Sequence, residues 1–119
     1  MSELLDKCRA YGADVDGTME RLLNDEELFE ICLQSFTEDA GFAGLKSAVE
    51  AKDYKAAFEH AHALKGVAGN LGLTPLFQAI SDLVEALRVD DVSKVDDAFV
   101  KTQYAKIVEE QEKMNALLA

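Results

Sequence analysis

The only two histidines of the chain, His60 and His62, fall in one stretch: Glu59-His60-Ala61-His62-Ala63-Leu64-Lys65-Gly66-Val67-Ala68-Gly69-Asn70-Leu71-Gly72. A neutral imidazole is a nucleophile towards phosphorus near neutral pH, because its ordinary pKa is about 6.5. It can accept a phosphoryl group without a metal or base of its own, provided that positioning and charge neutralisation are supplied. The same stretch reads as helix, yet it holds Gly66 and Gly69 in its interior. Each such glycine costs about 1 kcal/mol relative to alanine, so each needs an offsetting use.

Helical geometry shows what surrounds each ring. At about 100° per residue, Tyr54, Ala57, Phe58, Ala61, Leu64, Ala68 and Leu71 share one face, which must be the core. His62 lies roughly 120° from the centre of that face, at the edge of the solvent side. Gly66 and Gly69 are its i+4 and i+7 neighbours along one stripe, and Lys65 is its i+3 neighbour. His62 is thus an imidazole with bare backbone beside it and one ammonium group within reach. The two glycines leave access for a docking protein, and Lys65 can offset phosphoryl charge. His60 falls on the opposite flank, beside Ala56, Leu64 and Val67. About 160° separates the two rings, whereas two histidines that share a metal on one helix need i, i+4 spacing. No metal site is expected. An exposed histidine beside a lysine is also commonplace, and a helical glycine also permits close helix packing. Periodicity alone leaves both uses open.

The elements that must carry this stretch are all helical. The chain has one proline and no alternating strand-like run, and nearly every segment repeats its apolar residues at helical spacing. Seven helices are expected. The first covers about Ser2–Ala10, with Leu4, Leu5 and Cys8 inward and Gly12 as its stop. The second starts near Asp14 or Asp16 and buries Val15, Met19, Leu22 and Leu23. The third is capped within Asn24–Glu27 and carries Leu28, Phe29, Ile31, Cys32, Leu33 and Phe36 around most of its girth, so deep burial is expected. Gly41 and Gly44 mark a break or kink before the stripe Phe42, Leu45, Ala48 and Val49. Asp53 caps the fifth helix, which runs to about Leu71, and Gly72 stands where a left-handed residue is wanted. Thr74-Pro75 supplies an N-cap and an N1 proline for the sixth, with Leu76, Ile80, Leu83, Val84 and Leu87 inward. The seventh runs from roughly Val92 with Val95, Phe99, Val100, Tyr104, Ile107, Met114 and Leu118 as apolar marks. Gln111 and the polar run Glu109–Lys113 suggest a tail that extends past the bundle or frays. Four long helices joined by short turns predict an all-α fold: an antiparallel four-helix bundle with additional short N-terminal helices at one end. Residues 1–119 form one domain in this reading.

Composition narrows the function. There are 23 acidic residues against 12 basic ones, a net charge of −11, and no Lys/Arg cluster. Nucleic-acid backbones and anionic lipid surfaces would be repelled. No apolar run approaches the roughly 20 residues of a membrane span, and the start Met1-Ser2-Glu3-Leu4-Leu5-Asp6 is unlike a signal peptide, so a cytoplasmic protein is expected. Cys8 and Cys32 sit at apolar helical positions without a CxxC pair and read as core residues.

His62-Ala63-Leu64-Lys65-Gly66 followed by Asn70-Leu71-Gly72 resembles the signature of the histidine phosphotransfer (HPt) family, H-x-L-K-G with a downstream L-G. Leu28–Asp39 resembles the family's helix before the bundle kink, Asp53–Phe58 its approach to the phosphorylated helix, and Thr74–Leu87 the helix that follows, so roughly residues 15 to 100 are covered. The resemblance implies that His62 accepts and donates a phosphoryl group between receiver-domain aspartates of two-component systems. Lys65 would assist the phosphoryl group, and Gly66 would leave room for the receiver. The protein would be a monomeric carrier without ATP-dependent kinase activity and with no cofactor of its own, Mg²⁺ being bound by the partner receiver. Partners would be response-regulator receivers and a hybrid histidine kinase. Two alternatives keep the fold: a non-catalytic module that binds a receiver or kinase, and the phosphoacceptor module of a chemotaxis-type histidine kinase. One position departs from the family. Some members hold the second ring nitrogen with a polar side chain on the next helix, and ungapped placement puts Val84 there. Ser81, Glu85 or water are left for that role, or the ring is held loosely.

Overall fold

The computed structural model describes residues 2–119. Among them run α1 (Glu3–Tyr11), α2 (Val15–Arg21), α3 (Glu26–Thr37), α4 (Ala40–Glu50), α5 (Tyr54–Asn70), α6 (Thr74–Leu87), a 3₁₀ turn (Val92–Lys94) and α7 (Asp97–Ala116). Six of the seven α-helices open on a side-chain cap: Ser2, Asp14, Asp25, Asp39, Asp53 and Asp96 each accept a hydrogen bond from a first-turn amide. Each such cap is worth about 0.5–2 kcal/mol. Part of the chain's acidity is therefore helix punctuation.

Helices α4 to α7 pack in sequence order as an antiparallel bundle, with α4 against α7 closing the ring. The interior is lined by Leu45 and Ala48 of α4, Ala57, Ala61, Leu64 and Ala68 of α5, Ile80, Leu83, Val84 and Leu87 of α6, and Val100 and Ile107 of α7. Burial of each large side chain contributes about 1.5–3 kcal/mol. The alanines of α5 keep its inner face shallow, so its neighbours approach closely. Gly41 and Gly44 lie within α4 and serve the same approach: a Cβ on Gly41 would stand 3.0 Å from Leu64 Cδ2, and one on Gly44 would stand 2.6 Å from the His60 ring. The expected break falls earlier, at Glu38–Asp39, where the Asp39 cap restarts the helix. An aromatic pair, Phe36 with Phe42 at 5.1 Å between ring centres, secures that joint.

The N-terminal helices cover the end of the bundle at the α5–α6 turn. Gly72 has φ +69°, and a Cβ there would run into Thr18 Oγ1 and the Asp14 carbonyl, so this turn needs glycine twice over. The Asp14 amide donates to the Gly72 carbonyl at 2.8 Å, and Arg21 Nη2 donates to the Asn70 carbonyl at 3.1 Å. Thus α2 closes the C-terminus of α5.

Several expectations are corrected. Leu23 is 88% exposed, because Leu23 and Asn24 both take left-handed backbone (φ 57° and 61°) in the α2–α3 turn. Only one side of α3 is buried, through Phe29, Leu33 and Phe36; Leu28 and Ile31 face solvent because α3 packs on α7 from outside the bundle. Thr74 is the first residue of α6 and not its cap; Leu73 precedes the helix, and the Thr74 hydroxyl donates back to the Gly72 carbonyl. The last helix begins at Asp97, five residues later than expected, because the Asp91-capped 3₁₀ turn precedes it. Phe99 is largely exposed on its first turn. Its C-terminal end does not extend freely: Met114 is fully buried and Leu117 nearly so, and Lys7 Nζ donates to the Ala119 carbonyl.

Candidate functional site

Helix α5 carries the site at its midpoint. Asp53 caps its start, and its buried side, Tyr54, Ala57, Ala61, Leu64 and Ala68, anchors it along the bundle axis. That periodicity leaves His62 exposed on the outer side, with Ala63, Gly66 and Val67 exposed nearby and Lys65 half-buried. Gly66 has no atom within 4 Å of where a Cβ would stand, so the space beside His62 is open. Gly69 differs: the edge of the Phe77 ring from α6 would lie 3.1 Å from its Cβ, so its missing side chain lets α6 close on α5. Lys65 extends over the same Phe77 ring, its Nζ 5.7 Å from the ring centre. The ammonium is thus steered along the outer α5–α6 seam by a cation–π contact.

The His62 imidazole packs on Phe58, one turn earlier, with ring centres 5.8 Å apart and planes tilted by 30°. Helical side chains lean towards the N-terminus, so an i−4 aromatic is the natural platform for this ring. Arg88, at the C-terminus of α6, places its guanidinium 5.4 Å from the centre of the same Phe58 ring and its Nε 3.4 Å from Glu85 Oε1. Val84 is fully buried among the core residues, unavailable to either nitrogen of the imidazole. Among the described residues, no group hydrogen-bonds to the His62 ring, Ser81 and Glu85 included. An aromatic ring, and not a polar side chain, stands beside it.

His60 is half-buried on the other flank, where its ring occupies the space over Gly44 of α4. The two rings therefore share no pocket. Of the stripe His62, Gly66 and Gly69, the structure leaves His62 and Gly66 open on the outer face, whereas Phe77 closes the space over Gly69, so Gly69 gives no access there; Lys65 beside the stripe reaches over Phe77. Phe58, expected on the core face, is half-buried at the edge of the core, and Phe77 and Arg88 reach the site from α6. The i, i+4 spacing of Phe58 and His62 was a usable signal; the approach of Phe77 and Arg88 from α6 was not visible along the chain.

A second polar cluster lies at the opposite end of α5. The Tyr54 hydroxyl donates to Asp97 Oδ1, and Lys52 Nζ stands 3.2 Å from Asp97 Oδ2. Burial, then the hydrogen bond to Asp97, pushes Tyr54 up to about 12, while the bonds from Tyr54 and Lys52 hold Asp97 below the ordinary carboxylate value. These residues border a cavity of about 510 Å³ between α4 and α7. They tie together the α4–α5 turn and the start of α7, and their polar groups are engaged with one another. Among the described residues, no helix is long and apolar enough to cross a membrane.

A protein-family model described as the Hpt domain matches residues 3–111, nearly the whole chain. No curated protein and no solved structure matches the chain significantly.

Proposed function

This chain belongs to the Hpt domain family, and on that premise we propose that it is a phosphorelay carrier whose phosphoryl group resides on His62. The unprotonated ring nitrogen of His62 attacks the phosphorus of a receiver's aspartyl phosphate. The N–P bond forms as the acyl P–O bond breaks, and the aspartate leaves as a carboxylate with the bonding electron pair. The other ring nitrogen keeps its proton, so the product is a phosphoimidazolium. Its positive charge keeps the N–P bond labile, and the reverse sequence passes the group to another receiver aspartate.

The observation that carries this reading is the exposure of His62 beside the open space at Gly66, at the midpoint of α5. A receiver active site must enclose the imidazole, and any side chain at the i+4 position would obstruct it. Lys65 supplies one positive charge near the phosphoryl oxygens, and its anchorage over Phe77 limits the entropy lost on engaging them. The Mg²⁺ ion that neutralises the rest belongs to the receiver, and this chain acts as a monomer in the cytoplasm. Neither a nucleic acid nor a membrane is among the partners, in keeping with the net charge of −11.

The test is transfer from a receiver charged with a small phosphodonor, run with wild-type protein, His62→Ala and His60→Ala. Acid-labile label on the wild type and the His60 variant, absent from the His62 variant, is the expected result. Binding to receivers without any label would replace this reading with that of a non-catalytic interaction module. Label acquired only from an ATP-dependent kinase domain would make the chain a kinase's phosphoacceptor module.

A further inference from the structure

We infer that Phe58 and Arg88 are positioning residues for phosphoryl transfer: Phe58 sets the orientation of the His62 ring, and Arg88 holds Phe58 in place from the neighbouring helix. The inference rests on the reading of His62 as the carrier. Among the described residues, no polar side chain hydrogen-bonds to the imidazole, and Val84, the position to which the family resemblance points, is fully buried in the core. An exposed, untethered imidazole samples several rotamers, and each additional rotamer dilutes the one that meets phosphorus in line.

Phe58 fills that role by a different means. Its ring lies 5.8 Å from the imidazole at a 30° tilt, a ring contact that favours one side-chain direction and leaves both ring nitrogens free. One nitrogen can then attack while the other keeps its proton in solvent. Phe58 is half-buried and packs against the edge of the core, which leaves the outer part of its ring for a neighbour to hold. Arg88 supplies that hold: its guanidinium lies 5.4 Å from the Phe58 ring centre, and Glu85 stands 3.4 Å from the guanidinium in turn. The order Glu85–Arg88–Phe58–His62 runs from the last turn of α6 to the midpoint of α5. Stacking on an imidazolium is also stronger than on a neutral imidazole, because the ring quadrupole attracts positive charge. The platform therefore favours the phosphoimidazolium formed on transfer.

The experiment is single-turnover transfer from a phosphorylated receiver, combined with NMR of the His62 ring protons. Phe58→Leu should slow transfer by about tenfold with the helical circular-dichroism spectrum intact, and Phe58→Tyr should restore the rate to within about threefold. Arg88→Ala should slow the wild type but add little to Phe58→Leu, because both changes release the same ring. The His62 ring protons should show an upfield ring-current shift that Phe58→Leu removes and Phe58→Tyr keeps. Wild-type transfer rates in Phe58→Leu, or unshifted His62 resonances in the native protein, would overturn the inference while leaving the carrier reading intact. Rate losses from Arg88→Ala and Phe58→Leu that simply multiply would overturn that hold and assign Arg88 to the receiver or the phosphoryl group instead. A wild type that takes no label overturns the carrier reading itself.

Discussion

The two flanks of α5 are built from the same residue types and serve opposite ends. On one flank His60 lies over Gly44, and the glycine makes room for an imidazole inside the protein. On the other His62 stands beside Gly66, and the space over that glycine is open to the outside. Histidine beside glycine is thus a packing device in the α4–α5 seam and an open site on the outer face. The difference lies in what faces the glycine. A neighbouring helix fills the space over Gly44, and nothing fills the space over Gly66.

Substitutions can break this comparison. The largest effect belongs to His62→Ala, which should reduce phosphoryl transfer by at least about a thousandfold in the assay above, whereas His60→Ala should leave the rate within about threefold. Equal losses in the two variants would remove the distinction between the flanks. Gly44→Ala comes next. Its new Cβ would stand 2.6 to 2.9 Å from three atoms of the His60 ring, so the ring or helix α4 must shift. Such overpacking costs about 1–3 kcal/mol, of which the helix propensity of alanine returns about 0.5–1 kcal/mol, so Tm should fall by up to roughly 8 °C by calorimetry. A raised Tm would show that the seam is loose.

Gly66→Ala sharpens the contrast from the other side. With no atom within 4 Å of the new Cβ, the folded chain gains helix propensity alone, about 0.5–1 kcal/mol. Transfer should slow by about threefold to tenfold while Tm rises, a pairing that a purely structural glycine does not give. Gly69→Ala should gain less stability, since Phe77 must yield by a few tenths of an ångström.

The smallest effect concerns the tyrosine end of α5, which carries no transfer chemistry. Tyr11, Tyr54 and Tyr104 are all raised above the ordinary 10.0, each chiefly by burial. A raised pKa means that the folded state holds the proton more tightly. For Tyr54 the linked stability is therefore complete below about pH 10 and is lost as pH rises through about 12. Absorbance titration of the phenolates should show the native protein lagging the unfolded chain near pH 10. Tyr54→Phe should leave phosphoryl transfer unchanged. Coincident titration curves would contradict the burial of these hydroxyls.

Much of this was legible in the chain. The caps at Asp53 and Gly72, the inward stripe of α5, the common stripe of His62, Gly66 and Gly69 and the place of Lys65 beside it all follow from helical spacing and local turn chemistry. The errors cluster where a neighbour decides. Ile31 and Leu28 match a buried pattern, but α3 packs on only one side. Gly41 and Gly44 match a helix break, but α4 uses them to approach α5. Phe58 matches the core face, but it lies at the edge of the core, half-buried, and its ring also meets His62.

Local sequence determined where helices begin, which residues share a face and which histidine stands clear of the core, because capping and the 3.6-residue period act within a few residues along the chain. Tertiary structure decided what each face meets: that Phe77 closes over Gly69, that Arg88 reaches Phe58, and that Val84 turns into the core while an aromatic ring supports the imidazole. Those contacts join α6 to α5. They depend on how close two helices approach and how they are rotated, and that is set by the packing of the whole bundle and by no single segment.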